Sequence, residues 1–259
     1  LGDWLFAGRS FFNYWLKKED QYSLQSPFVF RIYSGLVQFL GENKNGDPTI
    51  EEFRNNLLND LSEIQVLDLG AGSKKVPKPV RRIADITRYS TSEIKFCLLY
   101  QFFCSLTPAE CVVELGTCVG ISTRYLSEKT KGRLFSFEGS PEIQKVAKRN
   151  PIPDRTEFIL GQIQETLPAI LDQIPKVDFA LVDANHTYQG TIFAFESILS
   201  KIHAKSILAI GDIHWTAEME SAWHEIKSNP KVKLTLDFYE CGIVFFENPG
   251  EKQDLILEI

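Results

Sequence analysis

From residue 110 onward, short apolar runs alternate with stretches whose apolar positions recur every three or four residues. The runs CVVELG (111–116), RLFSFE (133–138), TEFIL (156–160), VDFALVD (177–183) and KSILAIGD (205–212) read as buried strands. Between them, ISTRYLSEKT, PEIQKVAKRN, ETLPAILDQI, TIFAFESILSKI and EMESAWHEIKS carry helical spacing. VKLTLDFY and CGIVFFE then follow around a tight turn at 240–242 and predict a hairpin. Five strand–helix units predict a parallel sheet covered on both faces, and right-handed crossovers make it doubly wound. The closing hairpin would add an antiparallel edge strand, for seven strands in all.

Residues 1–105 have a different texture and predict a mainly helical N-terminal extension or lid, with residues 106–259 as the α/β domain. Ser26 and Pro27 open a helix over SPFVFRIYSGLVQFL, and Pro48 opens another after the loop GENKNGDP. TSEIKFCLLYQFFCSL is a strongly apolar helix expected to begin at its Thr/Ser pair. Tyr22, Phe28 and Tyr33 are either core residues or the wall of an apolar pocket.

Two stretches compete to be a ligand-binding turn: VLDLGAGS (66–73) and VVELGTCVGIS (112–122). Each reads as a strand that carries an acidic residue and runs into a glycine turn. After the first comes KKVPKPV, whose prolines oppose an immediate helix. After the second the chain enters a helix at once, capped by Ser122 or Thr123. Its next strand ends at Glu138, 22 residues beyond Gly116. The second loop therefore has the order that a ribose-binding site requires, a glycine turn and a carboxylate at the ends of adjacent strands. The first remains a packed turn or a lid element. Cys118 breaks the G-x-G-x-x-G register at the glycine where a pyrophosphate needs closest approach, which disfavours NAD.

E-x-G-x-x-x-G at Glu114, Gly116 and Gly120, Glu138 at the end of the next strand, and LGQI (160–163) after the third together resemble the class I S-adenosylmethionine-dependent methyltransferases. The resemblance covers about residues 105–247. It implies a Rossmann-like methyltransferase fold and a cofactor held by Glu114, Gly116, Thr117, Gly120, Ser122, Glu138, Gln162 and Asp183. Asp183, His186, Asp212 and His214 end strands four and five on the same rim and are expected to cluster there. The D-x-x-H pattern followed by an acid 29 residues after Asp183 resembles a small-molecule O-methyltransferase subset that uses Mg²⁺. It implies His186 as general base, Asp183 beside it, and Asp183 with Asp212 as metal ligands, although Gly211 stands where that subset has a further acid. His214 is open to three readings: an extra ligand, a substrate contact, or a side chain packed beside Trp215. The implied partner is a small-molecule methyl acceptor. An NAD-dependent oxidoreductase, or a non-catalytic protein with a degenerate cofactor fold, stays open as an alternative.

Composition narrows the field. The chain has 259 residues and a net charge of −6, with no long basic block, so nucleic acid is not the expected partner. Five cysteines without CxxC spacing predict neither a disulfide framework nor a zinc site and fit a cytoplasmic setting. The aromatic start LGDWLFAGRSFFNYWLKKED is interrupted by Asp3 and Arg9 and predicts an amphipathic docking helix rather than a membrane span or a signal peptide.

Overall fold

The computed structural model describes residues 2–68 and 78–259. Helix α1 is Gly2–Lys17, α2 Pro27–Glu42 and α3 Pro48–Leu58. The caps of α2 and α3 are the expected ones. Ser26 Oγ accepts from the Val29 amide, and Asp47 carries the same task for Thr49 and Ile50, with proline in the first turn of both helices. Two features of this half differ from expectation. Strands β1 (Glu63–Gln65) and β2 (Val80–Arg82) pair antiparallel in a sheet of their own, and α4 (Ile83–Ser90) follows at once. The strand expected to start at Val66 is instead β1, which ends at Gln65. Helix α5 (Ile94–Ser105) starts at Glu93, not at the Thr91–Ser92 pair. Thr91 instead closes α4 by donating to the Thr87 carbonyl, and Ser92 is turned toward Asp183.

The predicted alternation then follows: β3 (Cys111–Leu115), α6 (Ile121–Lys129), β4 (Arg133–Glu138), α7 (Pro141–Ala147), β5 (Thr156–Leu160), α8 (Ile163–Leu171), β6 (Phe179–Val182), α9 (Tyr188–Leu199), β7 (Ile207–Gly211), α10 (Ala217–Ser228), β8 (Leu234–Asp237), β9 (Cys241–Phe245) and β10 (Gln253–Ile256). The main sheet has the order β10-β8-β9-β7-β6-β3-β4-β5. All its pairings are parallel except those of β9, so the sheet is doubly wound and mostly parallel. It has eight strands, not seven. The antiparallel strand is internal, slotted between β7 and β8, and β10 takes the edge beyond β8. Its run QDLI is short and half polar, which hides a strand that is covered on one side only.

Strand residues alternate between two apolar layers, as the two-residue period of a β-strand requires. Val112, Leu134, Phe179, Leu181 and Ala209 face α2 and α5, through Val29, Tyr33, Leu36, Leu99 and Phe103. Val113, Phe135, Ala180 and Leu208 face the other way, onto Leu167, Phe195, Ile198 and Trp223 of α8, α9 and α10. Residues from the N-terminal half therefore share one core with the sheet. Tyr33 is buried in that core and donates to the Glu258 carbonyl, Phe28 packs edge-on against Phe245, and Tyr22 is exposed. No described helix is long and apolar enough to cross a membrane.

The order β5-β4-β3-β6-β7 reverses direction between β3 and β6, so a crevice opens there at the carboxyl ends of the strands.

Candidate functional site

That crevice is a cavity of about 600 Å³. Its floor is the turn after β3. The amides of Gly116 and Thr117 both donate to the Phe137 carbonyl of β4, at 3.0 and 2.9 Å. Gly116 has φ +107, and a Cβ there would lie 2.2 Å from the Asp183 carbonyl oxygen, so only glycine lets the β3 and β6 ends approach this closely. Cys118 follows at φ +49, the left-handed region that glycine would adopt without strain. Its amide is thereby aimed at Glu138, whose Oε2 accepts it at 2.9 Å while Oε1 accepts from the Ser140 amide at 2.8 Å. The glycine turn and the acid thus meet at the ends of neighbouring strands. Burial pushes the Glu138 carboxyl upward despite these donors.

Glu114 lies elsewhere than expected for a direct contact. It is fully buried beneath the turn, and its carboxylate accepts from the hydroxyls of Ser122, Thr123 and Ser136, at 2.6, 2.6 and 2.5 Å. This corrects the expected helix cap. Gly120, at φ +82, caps α6, and Ser122 and Thr123 turn inward because a buried carboxylate without donors is far costlier than an open cap. Burial outweighs the three hydroxyls and raises Glu114 to about 7. Thr117 Oγ1 is bonded to Ser136, 2.5 Å away, so both loop hydroxyls and carboxylate form one packed unit. Gln162 caps α8 through its backbone with its side chain exposed, while its neighbours Gly161, Ile163 and Gln164 line the cavity.

The opposite wall carries the titratable groups. Asp183 leaves β6, Asn185 and His186 make a tight turn at φ +64 and +43, and Asp212 leaves β7 at φ +57. With Cys118, four of the six non-glycine residues with positive φ among the described residues line this one cavity. Each such residue costs about 1–3 kcal/mol, and such strain gathers where side chains must be aimed. His186 Nδ1 lies 3.4 Å from Asp212 Oδ2, and its ring meets Trp215 edge-on at 5.7 Å. One ligand atom from each of Asp183, His186 and Asp212 falls within 4.8 Å of the others. Asp212 is raised to about 6 by burial, opposed by His186 and reinforced by Asp183. The Asp212 amide is held by the Glu240 carbonyl in the turn between β8 and β9.

Two closely spaced carboxylates in a partly dry site fit a hard divalent cation such as Mg²⁺. The missing further acid has a steric reason. A Cβ on Gly211 would lie 2.1 Å from Asp183 Oδ1, so the Asp183 carboxylate fills the space that a side chain at 211 would need. His214 is turned away from the cavity: its Nε2 bonds to Asp237 at 2.8 Å, and Tyr239 stacks on its ring. His186 is the histidine that lines the cavity.

Sequence reading missed the third wall. Ser92, just before α5, and Phe96 and Tyr100 of α5 line the cavity, as do Tyr89 of α4 and the β1 flank Val66–Leu67–Asp68. Ser92 Oγ reaches Asp183 Oδ2 at 3.4 Å. Asp68 binds Arg81 with both oxygens, and the Leu67 amide donates to Ser140 beside Glu138. The first glycine stretch therefore begins at the rim of the same cavity, while its residues 69–73 lie outside the described residues.

Residues 113–213 match a family model described as a methyltransferase domain. A provisionally named O-methyltransferase of Mycobacteroides abscessus is 33% identical over 93 residues, covering 33% of this chain and 42% of that protein. The chain spans about two fifths of the length of the curated relatives it matches. The S-adenosylhomocysteine-bound methyltransferase of Podospora anserina shares the fold with TM-score 0.58 at 15% identity, over 87% of this chain and 97% of that one. A Bacillus cereus O-methyltransferase in complex with S-adenosylhomocysteine does so with TM-score 0.56 at 16% identity, over 81% and 99%. At these identities the likeness is one of fold. The match to the methyltransferase-domain model lies within the fold that these S-adenosylhomocysteine-bound proteins share. The matched stretch carries the glycine turn, Glu138 and the Asp183–His186–Asp212 wall of the cavity.

Two outcomes follow from this packing. Glu114 keeps its proton to about pH 7 when folded and loses it near 4.5 when unfolded, so the folded state binds more protons across that window. Stability accordingly falls as pH rises from 4.5 to 7, by up to about 1.4 kcal/mol per unit. Urea unfolding of Glu114→Gln should show a flatter profile there, and an unchanged slope would contradict the assignment. Gly211→Ala should cost roughly 1–3 kcal/mol by crowding Asp183. In an Asp183→Ala background the same change should cost much less, whereas equal costs would show that the two positions do not compete for space.

Proposed function

We propose that this chain transfers the methyl group of S-adenosylmethionine to an oxygen of a small molecule. The observation that carries the reading is the meeting of the Cys118 amide and the Glu138 carboxylate at the ends of β3 and β4, beside a strained cluster of Asp183, His186 and Asp212. Glu138 and the 116–118 turn would hold the ribose, and Gly161, Ile163 and Gln164 stand where the adenine edge would lie. The loop lacks the glycine that a pyrophosphate needs, which suits a nucleoside without phosphates. When bound, S-adenosylmethionine supplies an electrophilic methyl on a positively charged sulfur.

His186 is the general base in this reading. Its Nδ1 faces Asp212, so the tautomer with Nδ1–H toward that carboxylate leaves Nε2 free to take the acceptor's proton. Asp212 then steadies the imidazolium. The positive φ at residues 185, 186 and 212 holds this pair in place before the acceptor arrives, so positioning supplies much of the rate. Asp183 and Asp212 would hold Mg²⁺, whose charge makes an acceptor oxygen more acidic. Phe96, Tyr100 and Trp215 offer apolar surface to the acceptor and keep water out.

Isothermal titration with S-adenosylhomocysteine and with NAD tests the cofactor assignment. Binding of the first and not of the second is expected, and the reverse would replace the proposal with an oxidoreductase. With an acceptor found in a panel of phenols and carboxylic acids, His186→Ala should lower kcat by about 10²–10⁴ and leave S-adenosylhomocysteine affinity intact. Undiminished turnover would remove His186 as the base.

A further inference from the structure

Helix α1 sits on the molecule the wrong way round for an ordinary amphipathic helix. Its inward stripe is Phe6, Ser10 and Tyr14, spaced one turn apart, and Lys18 continues it just past the helix end. Ser10 is buried, Tyr14 donates to the Leu257 carbonyl, and Lys18 bonds to Glu258 at 2.6 Å. The bulky apolar residues face outward instead: Phe11, Phe12, Trp15 and Leu16 are 51%, 57%, 53% and 59% exposed. Helical spacing puts Gly8, Phe12, Trp15 and Leu16 on one continuous strip, with Phe11 at its edge against Tyr239 and Arg9 on its other flank.

We propose that this strip is the docking surface for a second copy of the chain. Four such side chains leave roughly 400 Å² of apolar surface uncovered, about half of the ~800 Å² that each partner buries in a stable pair. The strip is also self-complementary. A Cβ on Gly8 would meet nothing within 4 Å, so the helix has an open notch one turn before Phe12. A two-fold axis through Phe12, with the helices antiparallel, sets Leu16 of each copy over Gly8 of the other and Arg9 over the Trp15 ring. Such an isologous pairing closes after two copies, and an Arg–Trp contact of this kind is a usual anchor of an interface. The chain carries −6 overall, which favours a protein partner over an anionic membrane. This inference stands apart from the proposed reaction.

Sedimentation velocity of the whole chain at micromolar concentration tests it, beside Phe12→Glu, Trp15→Glu and Gly8→Leu. A Cβ at the last meets nothing within 4 Å in the single copy, and leucine is a stronger helix former than glycine, so this variant is expected to fold. The wild type should sediment as a dimer, and each variant should weaken the pair by about thirtyfold or more while circular dichroism is unchanged. A wild type that stays monomeric, or variants that stay dimeric, would overturn the proposal. So would a monomer that pellets with phosphatidylserine vesicles, which would assign the strip to a lipid surface.

Discussion

The hydrogen bond from the Cys118 amide to Glu138 ties together the features on which the cavity depends. It exists because β3 and β4 are parallel neighbours whose ends are level, with Leu115 opposite Phe137. It also needs a residue at 118 willing to adopt a left-handed conformation. Below it, the buried Glu114 draws in hydroxyls from α6 and β4, so the helix start and the strand beside it are pinned to the same point. A turn fixed from above by one carboxylate and from below by another has little freedom. That is what a preformed nucleoside cradle requires.

Close packing governs the other wall as well. Gly116 and Gly211 flank Asp183, and neither position has room for a Cβ while that residue stays where it is. The absence of an acid at 211 is thus a consequence of how β6 and β7 end, not an isolated loss. It leaves Asp183, His186 and Asp212 as a compact trio in which burial, opposed by His186 and reinforced by Asp183, raises Asp212. The turn between β8 and β9 completes the support. Its Glu240 carbonyl holds the Asp212 amide, while Tyr239 seats both His214 and the edge of α1.

Much of this was legible in the sequence because it depends on short-range patterns. Strand–helix alternation announces a parallel sheet, and such a sheet brings all strand ends to one rim, so Glu138, Asp183, His186 and Asp212 could be grouped without any contact information. What stayed hidden depends on partners distant in the chain. That β9 would enter between β7 and β8 is a matter of strand order, to which hairpin signals are blind. Glu114 reads as an ordinary strand-end acid until three hydroxyls from two other elements are seen around it. Helix α5 is apolar on nearly every side, so its pattern does not reveal that Phe96 and Tyr100 face the cavity.

The central claim is that residues 116–118 and Glu138 grip one adenosyl group between them. A crystal structure of the protein grown with S-adenosylhomocysteine measures this directly. The account predicts ribose hydroxyls within about 2.6–3.2 Å of the Glu138 carboxylate, above the turn that follows β3. A nucleoside seated instead against residues 68–73, with Glu138 still turned wholly onto the Cys118 and Ser140 amides, would contradict it.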